Sequence, residues 1–203
     1  MSAGPRTSAQ RGHVDPELTR DFPRLALWSI QVASAGGRTP RSVRRRLDHL
    51  TDRMPGLVTG GLRTNPVLGA YRAFARQLGL DPDADRLPLE QAAFERLLRG
   101  SFVSRGWLSD AVLLAMFETG VPLWSVDAAS LEGPLRVEVD DTAGAAVVDH
   151  RGVVAPLMGA PVRPELGTRP GVASVFAVRV EAVPSTTVDE ALWLTCEMLD
   201  QAR

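Results

Sequence analysis

Between Asn65 and Asp127 the apolar residues recur at the three- and four-residue spacing of helices, and from Arg136 onward they fall in short, Val-rich, often alternating runs. Asn65-Pro66 opens a helix in which Leu68, Tyr71, Phe74, Ala75 and Leu78 share a face, and Gly79 terminates it. After the turn-rich link DPDADRLP, the run PLEQAAFERLLRG predicts a second helix with Leu89, Ala93, Phe94, Leu97 and Leu98 inward and Gly100 past its end. WLSDAVLLAMFETG, starting at Ser109-Asp110, is apolar nearly all round and predicts a central, covered helix. Upstream, RLALWSIQVAS reads as a buried strand ended by Ala-Gly-Gly, with Trp28 as core. Thr39 as N-cap and Pro40 start a helix whose inner face is Val43, Leu47, Leu50 and Met54.

PGLVTGGLRTNP reads as a loop or short strand. PLRVEVDD, AAVVDH, VVAPLM and ASVFAVRVEAV read as strands, and VDEALWLTCEMLDQ closes the chain as a helix burying Val188, Ala191, Leu192, Leu194, Thr195 and Met198. Residues 1–14, rich in Ser, Gly and Arg without apolar periodicity, read as a flexible N-terminal arm. The expectation is a mixed α+β fold, one domain over residues 15–203, with helices mainly in the first half and strands mainly in the second.

Composition narrows the chemistry. The 203 residues carry 23 basic and 24 acidic side chains, so no global field draws in nucleic acid, and Arg41, Arg44, Arg45 and Arg46 read first as a solvated helix face. No stretch is apolar enough to span a membrane or to serve as a secretion signal, which predicts a cytoplasmic protein. The lone Cys196 reads as a small buried thiol. No lysine occurs anywhere, so there is no residue for a pyridoxal Schiff base or a P-loop. His13, His49 and His150 stand at no metal-ligand spacing, and G-x-G-x-x-G, G-x-S-x-G and H-E-x-x-H are absent. Acid–base chemistry without metal or cofactor, or plain binding, is left.

Arg72 with Leu78-Gly79 and Asp81-Pro82, then RLPLEQAAFERLLRG, the helix from Asp110, and GVPLWSVDAASLEGPLRV resemble the B3/B4 domain of the bacterial phenylalanyl-tRNA synthetase β subunit and its free-standing relatives. Gly120-x-Pro122, Asp110 and Asp127 anchor a likeness that runs from Asn65 to Val137. It implies a B3/B4-like fold and, in the synthetase, hydrolysis of tyrosine mistakenly attached to tRNA. The editing pattern places Thr-Asn and His where this chain has Val112-Leu113 and Trp124, so the polar partners of a hydrolytic water are replaced by apolar side chains. Free-standing aminoacyl-tRNA editing or tRNA binding is therefore the second reading.

AYRAF and AAFERLL also resemble the bacterial Pictet–Spenglerases, compact homodimers that join L-tryptophan to an aldehyde to give β-carboline alkaloid skeletons. That likeness implies Glu95 as general base and Arg72 as a substrate-binding arginine. The chemistry agrees with the missing lysine, because the substrate supplies its own amine. Beside Ala92, Ala93, Phe94 and Leu98, Glu95 is expected to be partly desolvated and so more basic. Trp107, Phe117 and Trp124 are candidates for an aromatic pocket wall. Two plainer alternatives stand beside this reading. Arg72 and Glu95 can form a structural interhelical ion pair, or the protein can bind an amino acid without turning it over. An enclosed apolar pocket at Glu95 favours the enzyme, and a basic face over Arg41–Arg46 favours tRNA.

Overall fold

The computed structural model describes residues 8–56, 64–100, 102, 104–140 and 144–200. The loop expected at 55–66 falls largely outside that set. Two four-stranded sheets and a set of helices make a mixed α+β domain. The strands are β1 (Gln10–Arg11), β2 (His13–Val14), β3 (Ala26–Ser34), β4 (Trp124–Asp127), β5 (Arg136–Asp140), β6 (Gly144–Asp149), β7 (Gly152–Pro156) and β8 (Gly171–Arg179). The helices are α1 (Pro16–Asp21), α2 (Arg41–Gly56), α3 (Pro66–Gln77), α4 (Pro88–Arg99), α5 (Trp107–Thr119) and α6 (Ser185–Asp200).

The first sheet runs β1-β3-β8-β4 and is antiparallel throughout. Its long pair, β3 and β8, holds register from Ala26↔Arg179 to Ser34↔Gly171. Ala173 to Val178 are all buried, as a strand covered on both faces requires. Helix α6 packs against β3 and β8 and along α5, and Tyr71 of α3 donates to the Val178 carbonyl of β8 at 2.8 Å. The second sheet runs β2-β5-β6-β7, with β2 parallel to β5 and the rest an antiparallel meander. The segment read as an arm thus contributes its residues 10–14 to both sheets, while residues 1–7 are outside the described set.

Local chemistry explains the helix positions. Asn65 Oδ1 accepts from the Val67 and Leu68 N–H groups, and Pro66 supplies the first-turn φ, so α3 starts where its cap is. Gly120 closes α5 at φ 75°, a left-handed cap, and a Cβ there would stand 2.9 Å from the Asn65 amide. The end of α5 and the start of α3 therefore meet at a contact that only glycine allows. The inward faces of α2, α3 and α6 follow their periodicity: Val43, Leu68, Tyr71, Phe74, Val188 and Leu192 are buried.

Three sequence expectations are corrected. In α4, Leu89 and Ala93 are buried, but Phe94 is 38% and Leu98 72% exposed. The Arg86 guanidinium lies 4.1 Å from the Phe94 ring centroid, a cation–π contact that keeps this aromatic at the surface. Met54 and Leu97 lie outside the residues whose side chains are described. Helix α5 begins at Trp107, before Ser109-Asp110, with Gly106 as an N-cap that has no side chain to offer. The strand β4, WSVD, lies inside the Asn65–Asp127 stretch whose spacing reads as helical, because its nearly continuous burial carries no alternation to mark a strand.

Candidate functional site

Helices α4 and α5, strand β4 and the segment between β7 and β8 enclose a cavity of about 180 Å³ that opens to solvent. It is comparable with the roughly 150 Å³ apolar cavity known to admit a benzene ring, and its open side leaves room for substituents. Val112, Leu113 and Met116 of α5 form its apolar wall, Leu123 and Trp124 of β4 its back, and Phe102 its side. Trp124 is fixed at both ends: its ring stacks on Phe176 with 6.0 Å between centroids, and its indole N–H donates to the Gly159 carbonyl at 3.2 Å. Phe102 stands edge-on to Phe117 at 5.3 Å.

Charged groups are concentrated on the remaining wall. Glu95 Oε1 accepts from Gln91 Nε2 at 3.1 Å, one helical turn away, and Oε2 accepts from the Arg105 guanidinium at 2.5 Å. The Glu95 side chain is 32% exposed and that of Arg105 57%, so the pair sits at the rim and not in the dry interior. The expected desolvated carboxylate is instead an ion-paired one. Arg99 also lines the cavity, at its exposed edge.

Beneath the pair lies Asp110, 1% exposed. Its Oδ2 accepts the hydroxyls of Thr39 and Ser104, each at 2.5 Å, and its Oδ1 accepts the Arg105 backbone N–H at 3.1 Å. Three donors satisfy a buried carboxylate without a cation. They also tie α2, the chain before α5 and the Arg105 backbone to one point, so Asp110 fixes where the guanidinium on Glu95 begins. Glu165 faces the cavity from the β7–β8 segment. Much of the residue is exposed, yet partial desolvation raises the pKa of its carboxyl, with the nearby Arg105 charge acting against that rise.

No protein-family model and no curated protein matches the chain. Function has to be argued from the cavity itself.

Of the sequence candidates, the structure brings Glu95 and Trp124 together on the cavity. Phe117 touches it only through Phe102. Trp107 is core: it is 7% exposed, and its indole N–H donates to the Met198 carbonyl at 3.1 Å, joining α5 to α6. Arg72 stands apart from the cavity. It donates to the Pro82 carbonyl at 3.0 Å and to Glu90 at 2.6 Å, and it pairs with Asp83. Desolvation works against its charge, but the hydrogen bonds to Glu90 and Asp83 prevail and raise its pKa. Arg72 and Glu95 form neither one pocket nor one ion pair. The arginine at Glu95 is Arg105, which the sequence did not single out as a candidate.

Glu165 was not visible as a candidate, since VRPELGTRP is a turn-rich segment with no periodicity to say which way a side chain faces. Among the described residues no group of His, Cys, Asp and Glu could hold a metal ion, and no helix is long and apolar enough to cross a membrane. The exposed surface of α2 carries Asp48 and Asp52 beside Arg41, Arg44 and Arg45, while Arg46 pairs with Glu118 at 2.6 Å, so this face is mixed in charge.

Proposed function

We propose that the protein is a Pictet–Spenglerase-like cyclase of the B3/B4 type, which condenses an aromatic amino acid such as L-tryptophan with an aldehyde and closes a β-carboline skeleton. The observation that carries the reading is one convergence. Val112, Leu113 and Trp124, the positions where the B3/B4 resemblance expects polar editing groups, line one cavity with Glu95. At those three positions a hydrolytic water loses the editing family's polar partners, although Ser109, Asp110 and Ser125 also line the cavity, whereas an indole finds Trp124, Met116 and Phe102.

The reaction makes a cationic iminium from the substrate's own amine, and the indole carbon attacks it. A base then removes the proton from the ring carbon and restores aromaticity. Glu95 is the base: its carboxylate is aimed at the cavity by Gln91 and Arg105, and a negative group there also favours the iminium. Arg105 and Arg99 at the rim attract the amino acid's carboxylate. No lysine and no cofactor is needed.

The test is incubation of the purified protein with L-tryptophan and a panel of aldehydes, following product mass and β-carboline fluorescence. The expected result is turnover that falls by about 10²–10⁴-fold in Glu95→Gln, the usual worth of a positioned base. Absence of cyclised product with every aldehyde, together with hydrolysis of mischarged tRNA, would return the protein to the editing reading.

A further inference from the structure

We propose that Glu165 is a second catalytic residue of this cavity, handling the protons of the amine-to-iminium stages, while Glu95 is reserved for the ring proton. The inference rests on the cyclase reading above. Its basis is that two carboxyl groups reach one cavity from separate parts of the fold, with one cation placed near both. Glu95 comes from α4 and Glu165 from the segment between β7 and β8, and the Arg105 guanidinium hydrogen-bonds the former and acts electrostatically on the latter.

The two differ in what holds them. Glu95 has both oxygens engaged, by Gln91 and Arg105. Among the described residues nothing donates a hydrogen bond to the Glu165 carboxyl; Arg169 reaches the backbone oxygen of Glu165, at 3.3 Å, and otherwise bonds Leu166 and Asp127. A second carboxyl that reaches the cavity from a separate segment, and whose partial desolvation favours its protonated form, suits a group that must accept a proton and return it. A carboxylate held by an arginine suits a single abstraction.

The steps balance. The Glu165 carboxylate takes a proton from the substrate ammonium, and the freed amine attacks the aldehyde carbon. The C–N bond forms, the carbonyl electron pair moves to oxygen, and a proton passes from nitrogen to that oxygen to give the carbinolamine. Protonated Glu165 then donates to the hydroxyl. The C–O bond breaks, water leaves, and the nitrogen lone pair forms the iminium, so Glu165 ends as the carboxylate it began as. The indole carbon attacks the iminium carbon, and Glu95 removes the ring proton and passes it to solvent. Ammonium, aldehyde and indole become cyclised amine, one water and one proton.

The experiment compares wild type, Glu95→Gln, Glu165→Gln and Glu165→Asp with L-tryptophan and an accepted aldehyde. Three readouts are taken: turnover, borohydride trapping of the iminium as a reduced secondary amine above the protein-free background, and the isotope effect from deuterium on the reacting ring carbon. Glu165→Gln is expected to lose about 10²-fold in turnover, to trap no iminium above background, and to lose its ring-deuterium isotope effect, because dehydration becomes limiting. Glu95→Gln is expected to do the reverse, accumulating trapped iminium with the isotope effect fully expressed. Glu165→Asp recovers part of the rate. Wild-type turnover in Glu165→Gln, or a slowed variant that still accumulates iminium with a full isotope effect, overturns the assignment while leaving the cyclase standing. A wild type without product removes both, so the two failures are told apart by the wild-type lane.

Discussion

Tyr71, the only tyrosine in the chain, shows how a single buried polar group ties a helix to a sheet. It is 4% exposed, and its hydroxyl donates to the Val178 carbonyl at 2.8 Å, holding α3 on the central strand β8. Burial raises the pKa of its phenol well above the ordinary value, with Arg179 pulling the other way. The linkage follows directly. A folded-state pKa above the unfolded one, near 10, means the native state binds the proton more tightly, so the contribution is complete below pH ~10 and lost as pH rises beyond it. Tyr71→Phe should lose about 1 kcal/mol at neutral pH, the net worth of one hydrogen bond, and should lose less stability than wild type between neutral and strongly alkaline pH. Urea unfolding across that range, with the tyrosine absorbance recorded in parallel, checks both. Equal alkaline losses in the two proteins would mean the phenol titrates as freely folded as unfolded.

At the scale of elements, Arg72 separates what a helix pattern reveals from what it conceals. The amphipathic face of α3 was legible because Leu68, Tyr71, Phe74 and Ala75 repeat at helical spacing, and each is buried. Periodicity also puts Arg72 off that face, but it says nothing of the side chain's partners. Those partners are the link before α4 and the helix's first turn: the guanidinium clamps Pro82, Asp83 and Glu90, and Glu90 in turn accepts the Leu87 N–H at 3.1 Å. The same blindness hid Arg105, and tertiary contact overrode pattern in α4, where Phe94 and Leu98 match the inward spacing yet face solvent. Helix α5 was the converse case: its uniform apolarity foretold a central helix but could not say which residues faced the cavity, and Val112, Leu113 and Met116 do. Arg72→Lys keeps the charge but loses the fork. We expect a cost of about 1–2 kcal/mol, discounted for partial exposure, and faster amide exchange over residues 80–88. Turnover per folded molecule should match wild type. A fall in kcat at unchanged stability would put Arg72 back into the chemistry.

For the whole molecule, the sequence order of helices first and strands later hides the fact that the cavity belongs to both halves. Its apolar wall comes from α5, its Glu95 carboxylate from α4, and its back and far rim from β4 and the β7–β8 segment that carries Glu165. The sheet joins these parts, since β8 pairs with β3 on one edge and β4 on the other. A ligand filling the cavity therefore bridges the helical half and the strand-rich half and is bound only by the assembled fold. Mass action then gives a measurable consequence: at a concentration of about 100 times Kd, such a ligand adds roughly 2.7 kcal/mol, and for a chain of this length each kcal/mol moves Tm by about 2–4 °C. A tetrahydro-β-carboline product should raise Tm by several degrees in wild type and much less in Trp124→Ala, which removes the stacked wall, while protecting amides in both α5 and the β7–β8 segment. Protection confined to one half, or a Tm shift that survives Trp124→Ala intact, would place the ligand elsewhere on the molecule.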